Sequence, residues 1–201
     1  MPVIENTLAV LALWGIVGYF IGSVPFGMVI ARVMGLGNLR DIGSGNIGAT
    51  NVLRTGNKGA AALTLLFDGG KGAVAVLLAR AMAGEDAAQL AGLMAFLGHC
   101  FPIWLRFKGG KGVATFLGVL LALAWPVGLA TCATWLATAV IGRISSQAAL
   151  FAAASSTFWL LLLGHGTALV MGAILTLLVF ARHMENIRRI KAGTEPKIGQ
   201  K

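Results

Sequence analysis

Gly43-Ser44-Gly45-Asn46-Ile47-Gly48-Ala49-Thr50-Asn51-Val52-Leu53-Arg54 sets three glycines within six positions beside two asparagines, a serine, a threonine and an arginine. Gly43 to Gly48 matches G-x-G-x-x-G on paper. With a strand before it and a helix after it, inside a βαβ unit, that pattern would make the chain a soluble dinucleotide-binding α/β protein. A P-loop fails at once, because Ala49 and Thr50 stand where Lys and Ser/Thr are required. The flanks decide the matter. Apolar runs at about 7–34 and 59–83 enclose the stretch, and no alternating strand pattern precedes it. What remains is its backbone chemistry: flexible, rich in accessible N–H donors and hydroxyls, and closed by an arginine, it suits a phosphate.

The rest of the chain repeats the lesson of the flanks. Its 201 residues are 57% hydrophobic and only 11% charged, with a mean hydropathy of +0.83. A soluble domain carries about a quarter charged residues. Apolar segments recur at about 7–34, 68–83, 88–104, 113–124, 127–141, 148–163 and 167–182. The expected fold is therefore an all-α integral membrane protein with about seven transmembrane helices, residues 1–201 forming a single polytopic membrane domain. Several segments fall short of the roughly 20 residues of a full span and would borrow flanking residues or thin the bilayer. The first lacks a positive n-region and an A-x-A-like cleavage site, so it reads as a retained span. Within it, Gly18-x3-Gly22 suits close helix packing and Pro25 predicts a kink, with Ser23 a packing residue.

The net charge of +9 is distributed on one side. Loops at about 35–58, 105–112 and 142–147, the tail 183–201 and the span ends facing them hold fourteen of the sixteen Lys and Arg, from Arg32 to Lys201. Arg80, beside Glu85 and Asp86, lies on the other side, and Lys71 is the sixteenth. Positive residues collect on the cytoplasmic face, which places the C-terminus and these loops in the cytoplasm and the N-terminus outside. The excess charge then needs no nucleic acid. Cys100 and Cys132 are isolated, with no disulfide or metal spacing.

A short repeat stands out. Phe67-Asp68-Gly69-Gly70-Lys71-Gly72 returns forty residues later as Phe107-Lys108-Gly109-Gly110-Lys111-Gly112. Each copy is expected to open an apolar helix, where free N–H groups and the helix dipole attract anions. On this reading 58–66 is a short interfacial helix and the span proper begins at about 68, which keeps Asp68 and Lys71 near the membrane surface and out of lipid. At the other end of the chain, Arg182-His183-Met184-Glu185-Asn186-Ile187-Arg188-Arg189 closes the last span. At helical spacing Arg182, Glu185, Asn186 and Arg189 share a face, with His183 three residues from Asn186. A stop-transfer cluster needs only Arg and Lys, so the added His, Glu and Asn point to chemistry. Ser145 and Ser146 beside Arg143 fit either an anion contact or a helix cap. His99 reads as a hydrogen-bonded histidine at a helix end, and His165 as a loop residue. No Ser–His–Asp order, Cys–His pair or metal-ligand set is evident. An enzyme built this way would hold two substrates and neutralise their charge. An anion or organophosphate transporter is the alternative; it would place polar residues at the bilayer midplane, whereas here they gather on one face.

Three motifs in order, Gly43 to Asn51, Gly98-His99 through Phe107-Lys108-Gly109-Gly110-Lys111-Gly112-Val113-Ala114-Thr115, and Arg182 to Ile187, resemble the bacterial acyl-phosphate:glycerol-3-phosphate acyltransferases of the PlsY type. The resemblance covers about residues 10–190. It implies a multi-pass bacterial inner-membrane enzyme whose site faces the cytoplasm. Such an enzyme moves a fatty acyl group from acyl phosphate to the 1-hydroxyl of sn-glycerol 3-phosphate. Lysophosphatidate and phosphate are released, in the first step of phospholipid synthesis. It further implies substrate-site roles for Ser44, Arg54, Lys111, His183 and Asn186 as the catalytic set. Phosphate contacts are expected from Gly43, Gly45, Asn46, Gly48, Thr50, Asn51, Lys108, Gly109, Gly110, Ser145 and Glu185. No metal or other cofactor is expected. The base for the glycerol hydroxyl is either His183 or a substrate phosphate.

Overall fold

The computed structural model describes residues 1–199, which leaves the expected cytoplasmic Lys201 outside the described residues. Among the described residues there are ten α-helices and three short 3-10 turns, and no strand. The dinucleotide fold is thereby ruled out by architecture as well as by context.

Helix α1 (Leu8–Ser23) begins at Thr7, whose side chain accepts from the Val10 N–H, and stops where Pro25 interrupts the chain. Helix α2 (Phe26–Val33) resumes at once, so the predicted kink is a break between two helices of one apolar segment. A short α3 (Ala49–Leu53) follows in the polar loop. Helix α4 (Lys58–Ala83) runs 26 residues without interruption from an Asn57 cap. Gly84, at φ +89, turns the chain into α5 (Glu85–Cys100). Then come α6 (Val113–Leu123), α7 (Trp125–Gly142) with Pro126 in its first turn, α8 (Ser145–Leu162), α9 (Leu169–Arg182) and α10 (Met184–Lys191). Among the described residues four apolar segments are long enough to cross a bilayer: Leu8–Val33, Lys58–Ala83, Glu85–Leu105 and Trp125–Gly142. A fifth arises if the last two helices, bent by 61° at His183, count as one.

The interior lies where α1 packs on α5, and α4 packs on both α5 and α6. Trp14, Val76, Phe96, Phe116, Val119, Met171 and Leu175 fill it. Glycine brings α1 onto α5, since a Cβ at Gly18 or Gly22 would fall on the carbonyls of Ala91 or Ala95. Outside, Leu13, Phe20, Leu66, Leu77, Leu136, Ile141 and Leu177 stand exposed. A soluble monomer rarely exposes contiguous apolar surface on this scale; a helical membrane protein presents it to lipid.

The continuity of α4 corrects the reading of 58–66 as a separate interfacial helix. Asp68 and Lys71 lie in mid-helix and are buried, with Lys71 Nζ donating to Asp68 Oδ1 at 2.8 Å and to the Val24 carbonyl at 2.7 Å. Facing protein and each other, the two charges stay out of lipid, and their pairing offsets part of the cost of burying them. The first glycine repeat therefore has no free helix N-terminus, and its reading as an anion site fails.

Candidate active site

The polar segments meet at one end of the bundle. Gly43 and Gly45 take φ of +51° and +66°, a conformation glycine adopts without strain. This turn folds the Gly43–Gly48 loop over buried Asn51. The Asn51 amide nitrogen donates to the carbonyls of Leu39 (3.0 Å) and Asn46 (2.7 Å). Its oxygen accepts from the Ser44 backbone N–H (3.1 Å), the Ser44 hydroxyl (3.3 Å) and Arg54 Nη1 (3.3 Å). Asn51 is thus the organising side chain that holds Ser44 and Arg54 on one side of the loop, and Gly48 precedes α3. Thr50, exposed on α3, shares a 3.0 Å hydrogen bond with Ser145 at the start of α8. The Ser145 reading thereby gains a partner outside its own helix.

The second glycine repeat forms the facing wall. Phe107 at φ +62 and Gly112 at φ +82 keep it out of the helix, and α6 starts only at Val113. Gly109 and Gly110 are buried. Their N–H groups donate to the carbonyls of Cys100 (3.0 Å) and His99 (3.1 Å), so they build the wall and are not free donors. Lys108 is exposed, and its carbonyl accepts from Arg40 Nη2. Arg40 Nη1 also reaches the Gly45 carbonyl at 3.3 Å, which ties the two glycine loops together. Half-buried Lys111 points its Nζ at Asn186 Oδ1, 2.6 Å away. Burial pushes the Lys111 amine down to about 8, against the opposing pull of the Glu195 carboxylate.

The third wall differs from the single helical face expected for 182–189. The chain bends at His183, so Arg182 belongs to α9 while Glu185, Asn186 and Arg189 lie on α10. Arg182 turns back and donates to the Gly110 carbonyl at 3.1 and 3.3 Å, with its guanidinium over the Phe101 ring. Buried His183 bonds the Val179 carbonyl through Nδ1 at 2.7 Å. That contact fixes the proton on Nδ1 and leaves Nε2 as an acceptor. Burial holds the His183 ring down to about 4, so it is neutral at pH 7. Glu185 is exposed on the rim of the cleft.

Between these walls lies an open cleft of about 450 Å³, lined by Arg40, Ser44, Gly45, Asn46, Lys111, Arg182, Met184, Glu185 and Arg188, with Ala181. Of the expected residues, Ser44, Gly45, Asn46, Lys111 and Glu185 line it; Asn51 and Asn186 stand behind as partners of Ser44 and Lys111, and Arg54 is one step further back, bonded to Asn51. The Lys108 side chain and His183 are not among the lining residues.

Glu195 was not singled out in the sequence. Its carboxylate accepts from the Ser146 hydroxyl, Asn186 Nδ2 and Arg189 Nε, each at 2.6 Å. Burial alone would raise its carboxyl, but these three donors hold it below the usual range. It orients Asn186, which in turn faces Lys111. Its one sequence signal is to be the sole acidic residue after Glu185 in a basic tail. Arg40 likewise looked like one more cytoplasmic cation. His99 also differs from expectation: it closes α5 as read, but its Nδ1 has no hydrogen-bond partner and lies 3.6 Å from Asp68.

Comparison with known proteins bears on the same residues. The profile of the family described as glycerol-3-phosphate acyltransferase matches residues 12–193. A glycerol-3-phosphate acyltransferase of Ruegeria sp. (strain TM1040) is 71% identical over 201 residues, covering all of both chains. One from Ruegeria pomeroyi is 70% identical over the whole of this chain and 99% of its own. Among solved structures, PlsY, an integral membrane glycerol 3-phosphate acyltransferase, in its glycerol 3-phosphate form superposes with a TM-score of 0.89 at 38% identity, covering 94% of this chain and 96% of that one. Its lysophosphatidic acid form gives 0.86 at 35% identity, covering 94% and 95%.

Proposed function

The chain belongs to the glycerol-3-phosphate acyltransferase family, and from that premise we propose how its cleft works. The protein is an integral membrane acyltransferase acting on sn-glycerol 3-phosphate and making lysophosphatidate. We take acyl phosphate as the donor and the cytoplasmic side of the bacterial inner membrane as the place of reaction. In the same reading the seven apolar segments are seven spans, with the N-terminus outside and loops 35–58, 105–112, 142–147 and the tail in the cytoplasm.

One observation carries the reading: the Lys111 ammonium, held at 2.6 Å by Asn186, faces a cleft lined also by Ser44, Arg40, Arg182 and Arg188. A site with these cations suits two phosphates at once. Lys111 neutralises and orients them with Arg40, Arg182 and Arg188, while the Ser44 and Gly45 N–H groups, given to Asn51 and to the Ile42 carbonyl, shape the loop, and Arg54 supports Ser44 through Asn51. Acyl phosphate is a mixed anhydride, so its carbonyl carbon is already electrophilic. The glycerol 1-hydroxyl oxygen attacks that carbon, the carbon–oxygen bond to phosphate breaks, and the hydroxyl proton passes to His183 Nε2 or to a substrate phosphate. Most of the rate then comes from orientation and from cations placed where negative charge develops. The acyl chain lies between helices, in lipid.

Purified protein in liposomes, given acyl phosphate and labelled glycerol 3-phosphate without any gradient, is expected to form labelled lysophosphatidate. Uptake of label without lysophosphatidate would instead establish a transporter of organophosphate anions.

A further inference from the structure

The two glycine repeats sit back to back through one histidine. His99 closes α5 and is buried, like Asp68 and Lys71 of α4. On one side its Nδ1 lies 3.6 Å from Asp68 Oδ1, which Lys71 holds at 2.8 Å. On the other side its ring abuts Gly110, where a Cβ would fall on Nε2, with Cε1 and Cδ2 close behind. Gly110 is outside the left-handed region, so an alanine there is opposed by this ring and not by the backbone. The Gly110 carbonyl accepts from Arg182, and the next residue is Lys111. At the far end Lys71 also binds the Val24 carbonyl, at the break before Pro25. The Thr115 hydroxyl donates to the Asp68 carbonyl at 2.8 Å, locking α6 to the same point. Three ionisable side chains buried in a membrane protein are expensive unless they act, and none of these three lines the cleft.

We infer that Asp68, Lys71 and His99 form a buried strut that sets the position of Gly110, and through it Lys111 and Arg182, so that all three are positioning residues for acyl transfer. The strut runs from the broken first span to the phosphate cleft. Lys71 pins Asp68, Asp68 faces the His99 ring, and the ring is the stop against which the loop rests. The inference depends on the reading of Lys111 as a phosphate contact.

The test is a double-mutant cycle on the full-length protein in liposomes, with Gly110→Ala, His99→Ala and the pair, reading KM for glycerol 3-phosphate, kcat and the thermal midpoint. Gly110→Ala displaces the loop against the ring and is expected to cost about 10²-fold in kcat/KM, mostly in KM. Removing the ring in the double variant is expected to recover about tenfold of that loss. Singles whose losses simply multiply in the double would overturn the strut. A milder probe, His99→Gln, keeps a side chain that reaches Gly110 without a ring nitrogen facing Asp68. It is expected to raise KM with an unchanged thermal midpoint; wild-type KM would also overturn the inference. Lys111→Ala in the same assay separates the two claims. If it leaves KM unchanged, the phosphate reading fails, whatever the cycle gives.

Discussion

Phe67–Gly72 and Phe107–Gly112 share five of six residues and have opposite structures. The first is the middle of an uninterrupted helix; the second is a loop with two residues at positive φ. One substitution within the repeat accounts for much of the difference. Asp68 stands three residues before Lys71, and on a helix such a pair attracts; it closes here at 2.8 Å. In the second copy Lys108 stands three residues before Lys111, and a helix would bring two ammonium groups together. The loop separates them, leaving Lys108 in solvent and turning Lys111 to Asn186. Upstream context agrees, with an Asn57-capped helix entering the first copy and Pro102 and a 3-10 turn entering the second. The same glycines serve helix packing in one place, where a Cβ at Gly72 would press on the Thr115 carbonyl, and a tight wall in the other.

The largest effect that would sharpen this contrast lies in the first copy. Asp68→Ala leaves a buried ammonium unpaired and is expected to cost about 3–5 kcal/mol of stability, read as a fall in the thermal midpoint in detergent. A midpoint unchanged from wild type would show that the ion pair holds nothing. Next comes Gly112→Ala. Its φ of +82 and the Phe96 ring where a Cβ would sit predict about 1–3 kcal/mol of destabilisation, together with lost turnover, because α6 begins there. Gly70→Ala, with nothing within 4 Å of its Cβ site, is expected to be neutral or to stabilise α4 by up to about 1 kcal/mol.

The fold was legible because its signal is local. Hydropathy marks apolar segments whatever they pack against, and Pro25 breaks a helix in any context. The continuity of α4 is not legible, because the local sequence shows no protein partner for Asp68 and Lys71 and leaves lipid as their surroundings. Their partners, Val24 and His99, lie 47 and 31 positions from Lys71 and Asp68 in the chain. The site was partly legible for the same reason. Glycine, hydroxyl and amide residues cluster in sequence, so Ser44, Lys111 and Asn186 were visible. Whether they meet depends on contacts such as Lys111 to Asn186, 75 residues apart. Glu195 and Arg40 draw their roles wholly from such contacts.

A smaller effect follows from pH. Burial brings the Lys111 amine down to about 8, so it is charged below that value and loses its charge above it. KM for glycerol 3-phosphate is therefore expected to rise several-fold between about pH 7.5 and 9, and a Lys111→Arg enzyme that binds should not show the rise. His183, held at about 4, contributes no titration near neutrality, so a steep loss of kcat between about pH 7 and 6 would contradict its assignment as a neutral ring. Smallest of all is Arg80→Ala. Arg80 pairs with Glu85 and the carbonyls of Ala122 and Leu123 at the other end of the bundle. It should leave KM within about twofold of wild type, since contacts outside the site change little in binding.

The central claim is that the second copy carries chemistry and the first carries structure. The most direct test is Lys111→Ala, purified and compared with wild type for lysophosphatidate formed per folded molecule and for thermal midpoint. The predicted result is a loss of about 10²–10³-fold in kcat/KM at a midpoint close to wild type. Wild-type turnover by a destabilised protein would contradict it.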